Sequence, residues 1–229
     1  MAKPLIKIDI VSDVVCPWCY IGKRRLEKAM NQLKDEMVFE AEFHPFELNP
    51  TLPAEGVDQK KYLSDKFGGE ERYHQITAHT TKIAAQEGLK FSFEKQLISP
   101  NTFQSHRLIA WAKKFNKQAA MKEALMSAYF EKGIDLSKKE NLAALAARVE
   151  LDKIKTEKFL NSDDLSDEVK KEEQLNYQRG ISSVPYFIIN NKYGLSGAQP
   201  TEVFVQALRE IATEVMNGFS ESDEVGERC

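Results

Sequence analysis

The stretch DVVCPWCYIGKRRLEKAM, residues 13–30, sets Cys16 and Cys19 around Pro17 and Trp18 at the point where a helical pattern begins. Pro17 suits a first helical turn, because its missing N–H would be unpaired there anyway. Beyond it Ile21, Leu26, Met30 and Leu33 recur at near-helical spacing. Upstream, LIKIDIV (5–11) is rich in β-branched residues and ends at Ser12 and Asp13, which reads as a strand running into a short loop. Downstream, MVFEAEFHPFEL (37–48) alternates Phe39, Ala41 and Phe43 against Glu40, Glu42 and His44 and stops at NPTLPAEG. A strand, helix, strand unit results, with the cysteines at the start of its helix.

From residue 58 to about 180 the pattern turns helical, broken by Gly68, Gly69, Gly88, Pro100, Gly133 and the polar run NSDD, with LKFSF (89–93) as the one strand-like stretch. Leu108, Trp111, Ala112 and Phe115 form one apolar stripe, and Leu142, Leu145, Ala146 and Val149 another, both read as core. SDEVKKEEQLNYQR reads as a mostly solvated helix capped by Ser166 and stopped at Gly180. After Gly180 strands return: SVPYFIIN and YGLSG flank a turn, and AQPTEVFVQALREIATEVM closes as an amphipathic helix. The last residues, SESDEVGERC, carry too little apolar surface to fix themselves and read as a flexible tail.

With 229 residues, 42% of them hydrophobic, the chain can build a substantial core. Its 32 Lys and Arg nearly cancel 35 Asp and Glu, and no basic, aromatic-studded segment marks a nucleic-acid surface. No apolar run approaches the roughly 20 residues that span a bilayer, and the N-terminus lacks a signal-peptide pattern. The expected address is therefore the cytoplasm, with neither nucleic acid nor membrane as partner.

Three cysteines, Cys16, Cys19 and Cys229, exclude a disulfide scaffold. A zinc site would require Cys16 and Cys19 to recruit two of His44, His74, His79 and His106, none of which form a second close pair. Two core thiols would explain burial but not the proline between them. Redox chemistry explains the spacing: a thiolate at Cys16 would lie where unpaired N–H groups and the positive helix end stabilise it below the roughly 8.5 of free cysteine. Cys19, a turn further in, would resolve the mixed disulfide formed by Cys16. Metal, core thiols and redox pair stand as the three readings, with no metal expected.

SDVVCPWCYIGKRRLE, PFELNP, NTFQSHRLIAWA and GISSVPYFIINNKYGLSGAQP resemble, in this order, the FrnE-like branch of the DsbA thioredoxin-fold family. The family also includes 2-hydroxychromene-2-carboxylate isomerases and kappa-class glutathione transferases. The resemblance implies an α/β, thioredoxin-like fold with a large helical insertion. Its parts would be a thioredoxin-like domain at 1–57 and 181–217, an inserted helical subdomain at 58–180 and a tail at 218–229. It further implies that Cys16 attacks disulfides, that Cys19 resolves, and that Pro185 is a cis-proline letting Val184 pair with an extended substrate. Without the resemblance, the alternative reading of Pro185 is an ordinary proline leading a strand.

Around these, Pro17, Trp18, Val184 and His106 are the candidate substrate-binding residues. Trp18 could contact substrate or pack as a lid. His106 could face the thioredoxin part or be a satisfied buried histidine. Asp9, on the strand feeding the cysteines, could accept a proton during exchange, whereas Asp13 would bond its own loop. His44 and Ser183 stand where relatives commonly carry arginine and glycine.

The expected activity is cytoplasmic thiol:disulfide exchange with protein or small-thiol partners. No cofactor is needed, and glutathione would serve as a thiol partner. The alternative is a glutathione-dependent isomerase or transferase acting on a small aromatic substrate; a noncatalytic chaperone is the third class. Sequence leaves open the direction of redox work and the oligomeric state, a homodimer being one arrangement.

Overall fold

The computed structural model describes the backbone of residues 3–226 and the side chains of residues 3–217. Strand β1 (Leu5–Ser12), helix α1 (Pro17–Leu33) and strand β2 (Val38–Pro45) form the first unit. β1 and β2 run parallel, with Ile8 opposite Ala41. Ile6, Ile8 and Ile10 alternate into the core from β1, and α1 buries Ile21, Leu26, Ala29 and Leu33 at near-helical spacing.

The chain then leaves the sheet. A two-residue strand β3 (Val57–Asp58) leads to α2 (Gln59–Phe67) and α3 (Glu70–Gln86), and β4 (Ile98–Ser99) returns to pair with β3. Helices α4 (Phe103–Lys113), α5 (Gln118–Lys132), α6 (Lys139–Arg148), α7 (Lys153–Leu160) and α8 (Ser166–Gln178) follow. Local chemistry sets several ends. Asp58 accepts a 2.7 Å hydrogen bond from the Lys61 N–H and so caps α2. At the end of α5, Gly133 has a φ of +66°, and a Cβ there would lie 2.1 Å from the Lys95 carbonyl oxygen. Only glycine allows both the turn and that approach.

β5 (Tyr186–Ile189) and β6 (Tyr193–Ser196) bring the chain back, and α9 (Thr201–Gly226) closes it. The sheet order is β2-β1-β5-β6, with β5 antiparallel to both its neighbours. α9 lies against α1, and Phe204 meets Phe187 of β5 edge to face at 4.9 Å. One apolar core runs from the sheet into the helices, while Val11, Phe46 and Ile181 form a smaller cluster apart from it. The arrangement is α/β and thioredoxin-like, with a helical insertion between β2 and β5. No helix among the described residues is long and apolar enough to cross a membrane.

Four expectations change. LKFSF is not a strand: Leu89 and Phe91 are buried among helices, and Phe93–Lys95 forms a 3-10 turn. The extended stretch finds no strand to pair with, and Ser92 N–H instead donates to the Phe130 carbonyl at 2.8 Å. Phe115 lies past the end of α4 and is half exposed, meeting the Trp111 ring edge to face. Ser166 is the first residue of α8 rather than its cap, and Leu165 precedes it in a left-handed conformation. Finally, residues 218–226, expected as a tail, continue α9, because extending a helix costs far less than nucleating one. Cys229 lies outside the described residues.

Candidate active site

Cys16 is the residue preceding the first turn of α1, with extended backbone (φ −89°, ψ 113°) and no side chain capping the helix. Its carbonyl accepts from the N–H groups of Cys19 (3.1 Å) and Tyr20 (3.3 Å). Cys16 is therefore the residue at the open helix end, the place where a helix favours negative charge. Both thiols are free. Cys16 borders the cleft, and its Sγ donates a 3.6 Å hydrogen bond to the Val184 carbonyl. Both cysteines are buried, Cys16 at 4% and Cys19 at 2% exposure, and only Cys16 lines the cleft; burial and the neighbouring Cys16 push the Cys19 thiol well above the ordinary range.

Val184 thus reaches the Cys16 sulfur from 168 residues further along the chain. The Val184–Pro185 peptide is cis, and Pro185 is buried beside α1. A Cβ on Gly22 would lie 3.1 Å from Pro185 Cγ and 3.3 Å from the Phe187 ring, so glycine at this helix position lets α1 approach the loop. Pro17 and Trp18 sit on the cleft rim, Trp18 exposed at its side. Cys16, Cys19, Pro17, Trp18, Val184 and Pro185 are therefore brought together.

His106 is not on that rim. It is 3% exposed on α4, and its Nε2 meets Asp13 Oδ1 at 3.3 Å. Burial holds its imidazole below the usual range, so the ring is neutral and donates to the carboxylate. The expectation that His106 touches substrate gives way to the buried reading, because α4 is covered on both faces by the sheet loop and by neighbouring helices.

The two aspartates have different surroundings from those expected. Asp9 sits beside β2 and pairs with His44 Nε2 at 3.1 Å, while His44 Nδ1 meets Glu172 of α8. Asp13 is the fully buried carboxylate below the cysteines. Burial works against its charge, but His106, the Leu48 N–H at 2.8 Å and the nearby Lys122 ammonium outweigh it and hold the group below the usual range. Lys122, 1% exposed on α5, donates to the Ser12 carbonyl at 3.2 Å. Burial pulls its pKa down to about 8, against the attraction of Cys19, Asp13 and Cys16. Nothing in QAAMKEALM separates Lys122 from a solvated lysine. The one clue is that Met121, Leu125, Met126 and Tyr129 cover too much of the helix circumference for a surface helix.

Two further carboxyls lie close by. Glu47 is pushed up to about 7 by burial and by Asp13, and Glu173 of α8 to about 8 by burial and by Glu47. Glu47 Oε2 and Glu173 Oε1 are buried without a hydrogen-bond partner among the described residues. Above the cysteines, a cavity of about 370 Å³ opens between the CPWC turn, α2, α3 and the end of α5.

A helix-start dithiol beside a proline loop, on this sheet order, defines a DsbA-like redox fold. The chain belongs to the DSBA-like thioredoxin domain family, whose model matches residues 7–209. It is similar to a probable DsbA oxidoreductase from Streptomyces coelicolor, with 32% identity, 90% of this chain and 89% of that one covered, and a TM-score of 0.84. It is also 27% identical over 217 residues to the uncharacterized protein YwbO of Bacillus subtilis (strain 168), covering 89% of this chain and 96% of that one. The cytosolic disulfide reductase DsbM from Pseudomonas aeruginosa, solved with GSH, shares the fold at 13% identity and a TM-score of 0.61, over 93% of this chain and 99% of that one. The chain is accordingly an enzyme of the DsbA-type oxidoreductase family, which acts on thiols or disulfides.

Proposed function

We propose that this protein exchanges disulfides through Cys16 and Cys19 with protein or small-thiol partners, glutathione among them, in the cytoplasm. The observation that carries the reading is the position of Cys16. It lies at an uncapped helix start, on the cleft, 3.6 Å from the carbonyl of Val184, while Cys19 is buried and does not line the cleft. Cys16 attacks a substrate disulfide and releases one thiolate; Cys19 then attacks the Cys16 sulfur and releases the second. The two sulfurs carry both electrons, so no resident cofactor enters this reading. DsbM, solved with GSH on the same fold, supports glutathione as one thiol partner.

The test is insulin reduction by the wild-type protein, Cys16→Ser and Cys19→Ser, with glutathione conjugation of an aromatic electrophile measured on the same samples. Loss of reduction in Cys16→Ser and accumulation of a Cys16 mixed disulfide in Cys19→Ser are expected. Conjugation that survives both substitutions would move the protein to the transferase reading.

A further inference from the structure

Beyond Cys16 the cleft does not stay shallow. The cavity of about 370 Å³ exceeds the volume of any single protein side chain and falls within the roughly 300–1,000 Å³ of small-molecule sites. Its wall is built by Leu52, Leu63, Ile76, Phe93 and Phe130, with Trp18 at the rim. Several polar residues on the inner wall are already engaged, while Ser182 and Ser183 lie with Val184 at the Cys16 end. Thr77 and Thr80 donate to the carbonyls of Tyr73 and Ile76 on their own helix, at 2.9 and 2.8 Å. Gln96 is held between Gln59 and the Phe130 carbonyl, and the Tyr129 hydroxyl bonds Ser99. Among the described residues the wall has two charged side chains. Asp13 is bound by His106 and Leu48, and Lys66 is exposed, its ammonium 5.7 Å from the centre of the Tyr62 ring. The interior therefore offers surface to apolar groups and no free hydrogen-bonding side chain among the inner-wall residues just named.

From a reactive sulfur at one end and this wall behind it, we infer that the cavity takes the body of a low-molecular-weight thiol or disulfide whose substituent is apolar. The inference rests on the exchange chemistry proposed above and names its substrate class. In the reducing direction, the Cys16 thiolate attacks the sulfur bearing the apolar group R in a disulfide R–S–S–R′. The S–S bond breaks, and R′S⁻ leaves and takes a proton from water. Cys19, as its thiolate, then attacks the Cys16 sulfur and expels RS⁻, which is protonated in turn. The protein dithiol is oxidised by two electrons, and the substrate is reduced to two thiols. A low-molecular-weight thiol such as glutathione restores the dithiol in two exchanges, itself becoming the disulfide. Burial of R in the cavity aligns the scissile bond with Cys16, so binding energy of the apolar body is used at the reacting sulfur.

The experiment uses mixed disulfides of glutathione with straight-chain alkanethiols from methyl to decyl, in which the chemistry of the sulfurs stays constant while apolar length grows. Single-turnover oxidation of the reduced full-length protein is followed by mass spectrometry, with glutathione disulfide and an unfolded protein disulfide as the other arms. The second-order rate constant should climb about three- to fourfold per methylene and level off once the cavity is full. Ile76→Trp, which fills part of the cavity, should move the plateau to shorter chains; circular dichroism establishes that it is folded, and Leu63→Trp replaces it if it is not. A rate indifferent to chain length, or a plateau that neither substitution moves, overturns the substrate class while leaving exchange intact. Faster reaction with the protein disulfide than with the best alkyl substrate overturns it too, assigning the cavity to a protein side chain. Failure of every disulfide, glutathione disulfide included, to oxidise Cys16 overturns the exchange reading itself.

Discussion

Asp13 and His106, 93 residues apart, meet at 3.3 Å beneath the CPWC turn and join the loop after β1 to the inserted helix α4. Each is buried, and each is the side-chain partner of the other. His106→Ala would leave the Asp13 carboxylate with the Leu48 N–H and the Lys122 field alone. A loss of about 1 to 3 kcal/mol is expected, as when a buried charged acceptor loses a hydrogen-bond donor. Urea unfolding at pH 7 measures it. His106→Gln, which can still donate, should recover part of the loss, and equal instability of the two variants would show that the hydrogen bond is not what matters.

Lys122 acts on Cys19 through its charge. Burial and Cys16 raise the Cys19 thiol, and the Lys122 ammonium opposes that rise. Lys122→Met should therefore raise it further, and each unit cuts the thiolate fraction tenfold. Resolution of a Cys16 mixed disulfide should slow about tenfold, with the intermediate visible by quenched-flow mass spectrometry. Folding stability should fall as well, since the buried Asp13 carboxylate loses a compensating charge and the Ser12 carbonyl loses its donor.

Glu47 gives the protein an unusual pH dependence. Its folded pKa is raised from 4.5 to about 7, so between these values the folded state holds more protons than the unfolded one. Stability falls as pH rises through that window, by at most about 3 kcal/mol. Glu173, raised to about 8, carries the same sign to slightly higher pH. Asp13, lowered from 3.8, has the opposite sign: its contribution is present above that value and lost as pH falls through its folded pKa. Glu47→Gln should flatten the decline between pH 5 and 8 in a series of thermal melts. An unchanged slope would place the titrating group elsewhere.

Gly22 sets the distance between α1 and the Pro185 loop. A side chain there meets Pro185 Cγ at 3.1 Å, Phe187 at 3.3 Å and the Ala198 Cα at 3.4 Å. Gly22→Val should cost about 1 to 3 kcal/mol through overpacking. It should also part Cys16 from Val184, slowing exchange with disulfides more than it slows alkylation of Cys16 by iodoacetamide. Equal slowing of both reactions would contradict this account.

Much of the architecture was legible in the chain because it rests on local rules. The alternation in β1 and β2, Pro17 at a helix start and the two strands after Gly180 each state a period or a turn that neighbours in sequence enforce. The placing of Cys16 and Cys19 around a helix start was legible for the same reason, although both sulfurs are buried, at 4% and 2% exposure. Where tertiary partners decide, local reading failed. LKFSF has strand composition but no strand beside it, and residues 218–226 lack an apolar face yet continue a helix nucleated further back.

The groups below and above the cysteines were decided only by tertiary structure. Asp13 and Asp9 have similar surroundings in sequence, and it is the arrival of α4 and α5 that buries the first. His106 points inward because its helix is covered on both faces, and Lys122 is read as a surface lysine until α5 is seen packed beneath the redox turn. The cavity draws its wall from α2, α3, α5 and the loops near Cys16 and Val184, segments far apart along the chain. A sequence specifies such a volume only through the packing of all its parts, since a void has no residue of its own. The sequence by itself determined the cysteine pair, the helix that carries it and the strands that frame it; the charge environment of that pair and the shape of what can reach it came from helices inserted between them.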